Sequence, residues 1–239
     1  MIHLWRSIAA LACAAALPAL AGAEDITVVA KTTMNQGAPK TSTQYIGADR
    51  IRSSDGESDT IMDVGAGRFT VINHNKKEYY QFTRDEMLAS MQQLEQQMSG
   101  PMGAMMEKMM GGKVGEVTVQ KGPARKIAGY DCTTHIFSLG DNMRYEMCAT
   151  QALQLSPAYY DALKGPYGLM GPLARRFDRI FEEMKKVKGF PVAMTSSVNL
   201  IGLKMNVSTE ATEVRKGAIP DSAFQLPAGY KKKETPFKK

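Results

Sequence analysis

The sequence lacks the short motifs that mark common catalytic sites. It contains no G-x-S-x-G turn, no phosphate-binding P-loop, no H-E-x-x-H zinc motif and no Rossmann glycine pattern. Histidine, the usual proton-transfer residue, occurs only three times in 239 residues. Asp49, Asp59 and Asp63 lie in one region, but on the predicted strands we expect them at solubilising turns and edges. We therefore expect a protein that is not an enzyme and holds no cofactor or metal.

No apolar run reaches the roughly 20 residues that a membrane-spanning helix needs. The run over 8–20 follows Arg6 and ends in Ala21-Gly22-Ala23, which is the pattern of a secretory signal peptide cleaved after Ala23. Cys13 inside this run leaves a lipoprotein signal open as an alternative. We expect residues 1–23 to be removed and the mature chain, which has no transmembrane segment, to work in the periplasm or as a secreted protein.

The positive charge of the chain is not gathered on any predicted element. The formal net charge is +6, yet no basic stripe carries the interleaved aromatic side chains of a nucleic-acid surface. We therefore expect no nucleic-acid partner. Residues 24–230 should form a single domain, and residues 231–239, which are rich in lysine, a solvated basic tail. Contact of that tail with an anionic membrane is the alternative.

Beyond the signal peptide only two cysteines remain, Cys132 and Cys148. Strand-like runs over 131–139 and 143–150 flank the turn residues at 140–142, and both cysteines are equidistant from Gly140. A hairpin folded there places them roughly opposite each other, which predicts a disulfide in an oxidising compartment. Two unpaired buried thiols are the alternative. A redox-active pair is disfavoured because no C-x-x-C spacing is present.

Most of the remaining sequence reads as short strands joined by short turns. Their connections are too short for helical crossovers, so we expect an α+β protein with about 9–11 strands in an antiparallel meander. Besides the cysteine hairpin, the predicted strands cover 26–30, 41–53, 60–64, 68–73, 78–82, 114–121, 191–200 and 202–214.

Two helical regions interrupt the strands. In the later one, Ser156 and Pro157 predict the start of a short helix through 164, and an amphipathic helix follows over 173–187. Packing on the sheet explains its apolar stripe. The earlier region, 84–110, should form two helices broken at Gly100-Pro101, over about 84–98 and 101–110.

Methionine is concentrated in the earlier helical region, where eight of the 17 methionines fall within 87–110. Steps of three and four place one apolar set on a common helix face: Met87, Met91, Leu94, Met98, Met102, Met105 and Met109. Flexible thioethers specify a rigid core poorly and suit a surface that opens or accepts variable apolar guests. We predict that this methionine face lines or covers an apolar cavity. Soft thioethers also bind Cu(I), which leaves copper binding open.

Several segments resemble a bacterial family of exported proteins, domain of unknown function 4412. The segments are Tyr45-Ile46-Gly47-Ala48-Asp49-Arg50-Ile51-Arg52, Ile61-Met62-Asp63, Lys77-Glu78-Tyr79-Tyr80, the methionine- and glutamine-rich helix, and the closing Phe224-Gln225-Leu226-Pro227-Ala228-Gly229-Tyr230. This family looks related to the lipoprotein-localisation-factor (LolA-like) superfamily. The resemblance implies a strongly curved antiparallel half-barrel with helical insertions on its concave face and acyl chains or other apolar ligands held between them. It supplies no catalytic residues.

The sequence therefore predicts a non-catalytic exported protein that binds a hydrophobic ligand, a lipid or an acyl chain, under a methionine-rich helical lid. Two alternatives stay open. One is an extracytoplasmic copper-binding protein that uses the methionines, and the other is a structural envelope protein whose methionine face is covered by a partner protein.

Overall fold

The computed structural model describes residues 25–98, 105, 115–154, 159, 174–200 and 203–237. The described strands are β1 Ile26–Met34, β2 Lys40–Ile46, β3 Arg50–Ser54, β4 Ser58–Asp63, β5 Arg68–Asn73, β6 Glu78–Thr83, β7 Val117–Ile127, β8 Tyr130–Leu139, β9 Met143–Thr150, β10 Phe190–Leu200, β11 Leu203–Lys216 and β12 Lys231–Lys232. The described helices are α1 Arg84–Met98 and α2 Ala174–Lys185, and Asp221–Phe224 forms a 3-10 turn. No helix in these ranges is long and apolar enough to cross a membrane.

All twelve strands form one sheet, in the order β12-β6-β5-β4-β3-β2-β1-β11-β10-β9-β8-β7. Every neighbouring pair is antiparallel except β12 and β6, which are parallel. The sheet is two meanders, β1 to β6 and β7 to β11, joined where β1 pairs with β11. The predicted antiparallel meander is therefore confirmed, in an open sheet whose described end strands are β12 and β7.

The sheet has more strands than we expected from the sequence. The predicted strand over 41–53 is two strands, because the chain turns where the Gly47 amide donates to the Arg50 carbonyl at 2.8 Å. The predicted strand over 114–121 extends to Ile127, because a register shift between Lys121 and Ala124 lets the chain pass Gly122-Pro123 without leaving the sheet. In the sequence, this Gly-Pro pair looks like the end of a strand.

Both described helices pack on the same face of the sheet, which we call the helix face. Paired residues on adjacent strands share a face, so the register can be followed from β1 across the sheet in both directions. Buried side chains occupy this face from β6 to β8: Ile26, Val28, Ala30, Ile46, Met62, Phe69, Phe82, Ala211, Met147, Tyr145, Phe137 and Leu139. Met87 of α1 packs against Met62, Phe69 and Phe82, whereas α2 packs on β8 and β9 through Ile180, Phe181 and Met184.

Helix α1 begins as the sequence predicts, because Thr83 and Glu86 form a reciprocal capping box. The Thr83 amide donates to the Glu86 carboxylate at 2.8 Å, and the Glu86 amide donates to Thr83 Oγ1 at 3.2 Å. The predicted helices over 84–98 and 173–187 are thus confirmed, the second with bounds Ala174–Lys185. The predicted helices over 101–110 and 157–164 lie outside the described residues, apart from residues 105 and 159.

Residues 221–237, which we call the strap, first cross the opposite face of β3 to β6 and then pass the edge strand β6, so that Phe237 reaches the helix face. Arg50 and Arg52 point to this face, since Ile51 between them points to the helix face. The guanidinium of Arg50 lies 4.7 Å from the centre of the Phe224 ring, and Arg52 Nη1 donates to the Ala223 carbonyl at 2.5 Å. Both faces of this part of the sheet are therefore covered.

The end of the strap differs from the solvated tail that the lysines suggested. Lys231 and Lys232 have exposed side chains, but their backbone pairs with β6. Beyond them Thr235 is buried, and the Phe237 ring packs edge-on against Phe82 with a centroid distance of 4.6 Å. The backbone pairing with β6 and the contact of Phe237 with Phe82 hold this segment on the sheet, while the lysine side chains remain in water.

The disulfide between Cys132 and Cys148 is confirmed, with the two Cα atoms 5.4 Å apart. The expected register is one step off, because Cys148 pairs with Thr134 and Cys132 is its diagonal neighbour. Both cysteines are buried, and they belong to a hydrophobic cluster that includes Ile26, Ile127 and Phe190.

We predict that replacing both cysteines, Cys132→Ala with Cys148→Ala, lowers the free energy of unfolding by about 3 kcal/mol, because the cross-link closes a loop of about 15 residues. Urea unfolding followed by circular dichroism measures the change. Reducing the native protein should cause the same loss, and reductant should leave the double variant unaffected. Equal stability of oxidised and reduced protein would contradict the prediction.

Candidate functional site

A cavity of about 190 Å³ opens on the helix face, where β1 and β2 approach β10, β11 and α2. Its wall is mainly apolar and is drawn from strands at the centre of the sheet together with one helix. The main apolar contributors are Val28, Ala30, Phe181, Phe190, Val192 and Ala211. All six side chains are buried in the protein core.

The cavity exists because small side chains meet at its floor. Ala30 of β1 pairs directly with Ala211 of β11, and a register shift lies beside this pair, between Val29 and Ala30. A second shift interrupts the β9–β10 pairing between Pro191 and Ala193. Two alanines leave a depression among larger neighbours, and the shifts bend the strands around it. A leucine at either alanine would place its isopropyl group in this space.

The size of the cavity limits what it can hold. An apolar cavity of about 150 Å³ in a small soluble protein stays dry and binds benzene. A cavity of about 190 Å³ is only slightly larger, so it has room for one short apolar segment or one ring. A ligand with several long chains would not fit within the described walls.

Three side chains with polar groups belong to the wall: Gln44 of β2, Thr209 of β11 and the buried Tyr159. The Thr209 hydroxyl is 2.9 Å from the hydroxyl of Thr32 and can exchange a hydrogen bond with it. Gln44 is half-buried, and its amide has no hydrogen-bond partner among the residues that the structure describes. Within the described part of the chain, the Gln44 amide is therefore able to donate to and accept from a group in the cavity, beside an apolar interior.

The methionine face does not line this cavity in the described part of the chain. Met87 is 3% exposed and packs with Met91 on the cluster of Met62, Phe69 and Phe82 at the β4–β6 end of the helix face. Met105 is 65% exposed. The side chains of Leu94 and Met98, and the whole of Met102 and Met109, lie outside the described residues. The predicted ligand contacts of this face stay a prediction.

Sequence patterns alone did not identify the cavity residues. The sequence placed Phe181 on the apolar stripe of a helix that packs on the sheet, and it does pack there while also lining the cavity. Ala30 and Ala211 read as ordinary strand residues. The available signal was Ala30, a small residue on the buried side of a predicted strand. Its pairing with Ala211 could not be inferred, because β11 lies far along the chain from β1.

A second constellation lies on the opposite face, under the strap, and contradicts the surface position expected for Asp59. The Asp59 side chain has 0% exposure; its Oδ2 atom accepts from Arg52 Nη2 at 2.5 Å and lies 2.8 Å from Nε2 of His74. His74 Nδ1 is 2.9 Å from the Tyr230 hydroxyl. We call Arg52, Asp59, His74 and Tyr230 the Asp59 network. Strand alternation turns Asp59 toward the strap, which covers it.

The Asp59 network connects segments that are distant in sequence. A neutral His74 that donates from Nε2 to the carboxylate accepts from the Tyr230 hydroxyl, whereas a protonated His74 donates to both. Asp59 Oδ1 and Arg52 Nε are buried and have no hydrogen-bond partner among the described protein atoms. The network therefore fixes the strap on β3, β4 and the turn after β5.

No cluster of three or more histidine, cysteine, aspartate or glutamate side chains suitable for a metal occurs within the described ranges. The segment Cys132-Thr-Thr-His135 has a spacing that resembles a pair of metal ligands, but the sulfur of Cys132 is bonded to Cys148 in the disulfide. Burial lowers the pKa of His135, and the nearby positive charge of Lys121 lowers it further. His135 thus tends to stay neutral in the folded protein.

A comparison with family models matches residues 27–230 to the family described as Domain of unknown function (DUF4412). No curated protein matches the chain. Among solved structures, an uncharacterized conserved protein from Thermus thermophilus has a TM-score of 0.48 at 5% identity, over 89% of this chain and 91% of that one. A LolA superfamily protein from Nitrosomonas europaea gives 0.30 at 9% identity, over 86% and 91%.

The Pseudomonas aeruginosa MucA/MucB complex contains a further similar chain, with a TM-score of 0.44 and 10% identity. The similarity covers 87% of this chain and 57% of that one, so this protein spans just over half of its length.

We predict that Asp59→Asn lowers the free energy of unfolding by about 3 kcal/mol, because it leaves the Arg52 guanidinium, on a side chain that is only 17% exposed, without its counter-charge. Chemical denaturation followed by circular dichroism measures the loss. The matched control is Asp49→Asn, at a carboxylate with 73% exposure, which should change stability by no more than about 0.5 kcal/mol. Equal effects of the two substitutions would show that Asp59 needs no partner.

Proposed function

We propose that this chain, which belongs to the family described as Domain of unknown function (DUF4412), is a non-catalytic exported protein that binds a lipid or other acyl compound by inserting one apolar segment into the cavity on the helix face. The observation that carries the proposal is the apolar cavity itself, with its floor formed by the Ala30–Ala211 pair. A core built for stability alone would fill this space, since interiors are otherwise closely packed.

The polar part of the wall gives the ligand an orientation. An acyl segment buried against Phe181 and Phe190 would place its polar end at Gln44, whose amide has no partner among the described residues. A carboxyl, ester or hydroxyl group can hydrogen-bond an amide in either direction. The favoured ligand is therefore amphipathic, with one apolar chain or ring in the cavity.

The methionine segment completes the proposed site. Met87 and Met91 fix the start of α1 to the core on the same face as the cavity. We propose that the rest of the methionine face covers the ligand from there, because flexible thioethers adapt to guests of different shape. The half-barrel arrangement, with the helix face as its concave side, is part of the same proposal.

Export to the periplasm is supported by the signal-peptide pattern before residue 24 and by the disulfide, which persists in an oxidising compartment. A ligand-binding role there needs no catalytic group. Partner binding and copper binding remain the competing hypotheses, and the Cu(I) measurement below separates copper binding from ligand binding.

Filling the cavity tests the proposal directly. Ala30→Leu with Ala211→Leu should weaken binding of a fluorescent fatty-acid probe by about tenfold or more, because the ligand loses burial of at least two methylene groups. The thermal midpoint should stay the same or rise. The matched control is Lys31→Leu, on the next residue of β1 but exposed on the opposite face. A folded double variant that binds the probe like the native protein would refute the cavity as the site.

The methionine cover is tested separately with Met91→Gln, Met98→Gln and Met105→Gln in one chain. We expect the fold to be retained and probe binding to be lost, since glutamine keeps the length of methionine but not its apolar character. Fluorescence titration and circular dichroism measure the two properties. Unchanged probe binding would remove the methionines from the site. The copper hypothesis would be favoured if the native protein does not bind the probe but its thermal stability rises with Cu(I) at a defined stoichiometry.

A further inference from the structure

The strap brings together lysines that are distant in sequence. β12 pairs with β6 in parallel, and the Lys231 amide donates to the Lys77 carbonyl at 3.0 Å. This pairing places the run Lys231 to Lys233 beside Lys76 and Lys77 in the turn between β5 and β6. We call these five residues the basic edge. The sequence alone shows only a lysine-rich tail and an unrelated lysine pair.

Most of the positive charge on this edge is not neutralised. Lys233 Nζ lies 3.0 Å from the Glu78 carboxylate. Among the described residues the other four, Lys76, Lys77, Lys231 and Lys232, form no ion pair, and all four are exposed. Glu234 is the other acidic residue next to the run. The edge therefore keeps a local excess of positive charge along the outer border of the sheet.

The lysines stand on a backbone that is held in place. The Lys233 amide donates to the Tyr79 carbonyl at 2.7 Å, and the strap is fixed on either side of the run by Tyr230 at His74 and by Phe237 at Phe82. Charges on an ordered strand and turn can meet a surface together without first ordering a free tail. Protection of a sheet edge explains one or two lysines on β12, but not the pair on the neighbouring turn.

We propose that the basic edge docks the protein on an anionic lipid membrane. Each lysine near such a surface adds to the attraction, and a flat array of lipid phosphates matches cations spread along a sheet border. The choice of a membrane rests on the proposed function, because an amphipathic acyl ligand resides in bilayers and the protein must approach one to exchange it. Docking needs neither the cavity nor the methionine face.

Sedimentation with vesicles tests this docking with the full mature chain. The native protein should bind vesicles of phosphatidylcholine containing phosphatidylglycerol at low salt, release them at high salt, and ignore pure phosphatidylcholine. Substituting Lys76→Gln, Lys77→Asn, Lys231→Gln and Lys232→Gln should weaken binding by at least about tenfold. Asparagine suits position 77, where φ is 51°.

The matched control removes the same charge elsewhere, with Lys121→Gln, Lys126→Gln, Lys188→Gln and Lys204→Gln, all at exposed positions. Its vesicle binding should stay within about twofold of the native value. An equal loss of vesicle binding in both variants would show that only the net charge matters and would overturn the proposal. Failure of the native protein to bind anionic vesicles would also overturn it. If the first variant fails to fold, the pair Lys76→Gln and Lys77→Asn provides the test.

The two proposals fail separately. The basic-edge variant should bind the fatty-acid probe normally in the absence of vesicles, and the cavity-filling variant should still sediment with anionic vesicles. Loss of vesicle binding in the cavity-filling variant would show that the ligand site, and not the basic edge, makes the membrane contact.

Discussion

The burial of one carboxylate, Asp59, sets much of this structure. A charged group with no exposure must be paired or it destabilises the fold, and Asp59 is paired on two sides. Arg52 reaches it from β3 and also holds the Ala223 carbonyl, while His74 reaches it from the turn after β5 and also meets Tyr230. Polar contacts thus hold the strap at two points, at Ala223 and at Tyr230. The strand β12 and the basic edge follow from that placement.

Because both faces of β3 to β6 are covered, the cavity is confined to another region of the helix face. α1 packs on the β4–β6 end of the helix face, and α2 packs on β8 and β9. The cavity lies between these two contact areas, over β1, β10 and β11, where the two meanders join. At this junction the β1–β11 pairing and the β9–β10 pairing each contain a register shift, and the small residues Ala30 and Ala211 lie between them. It is the part of the face that neither helix fills.

Local patterns predicted what depends on neighbouring residues. Strand-like runs between turn residues predicted the strands, the spacing of the methionines predicted α1, and the cysteine spacing predicted the disulfide. The strand bounds at Gly47 and Gly122 were local errors, whereas the larger errors and omissions involve contacts between distant segments. Asp59 looked like a surface residue because the strap that covers it lies more than 150 residues later in the sequence. Lys231 looked solvated because its pairing with β6 leaves no local signal, and the Ala30–Ala211 floor of the cavity joins the first strand to the second meander.

The distribution of side-chain types separates a rigid part of the proposed site from an adaptable part. Most of the described wall consists of β-branched, aromatic and small residues on strands and on α2, which hold one shape, and Met194 is the one methionine in it. Methionines, which do not hold one shape, are concentrated in the connection between β6 and β7. Met87 lies at 3% exposure in the core, whereas Met105 is 65% exposed. One end of the methionine face is therefore anchored while a later position meets water, and burying the exposed thioether on a bound acyl chain would favour the ligand-bound state.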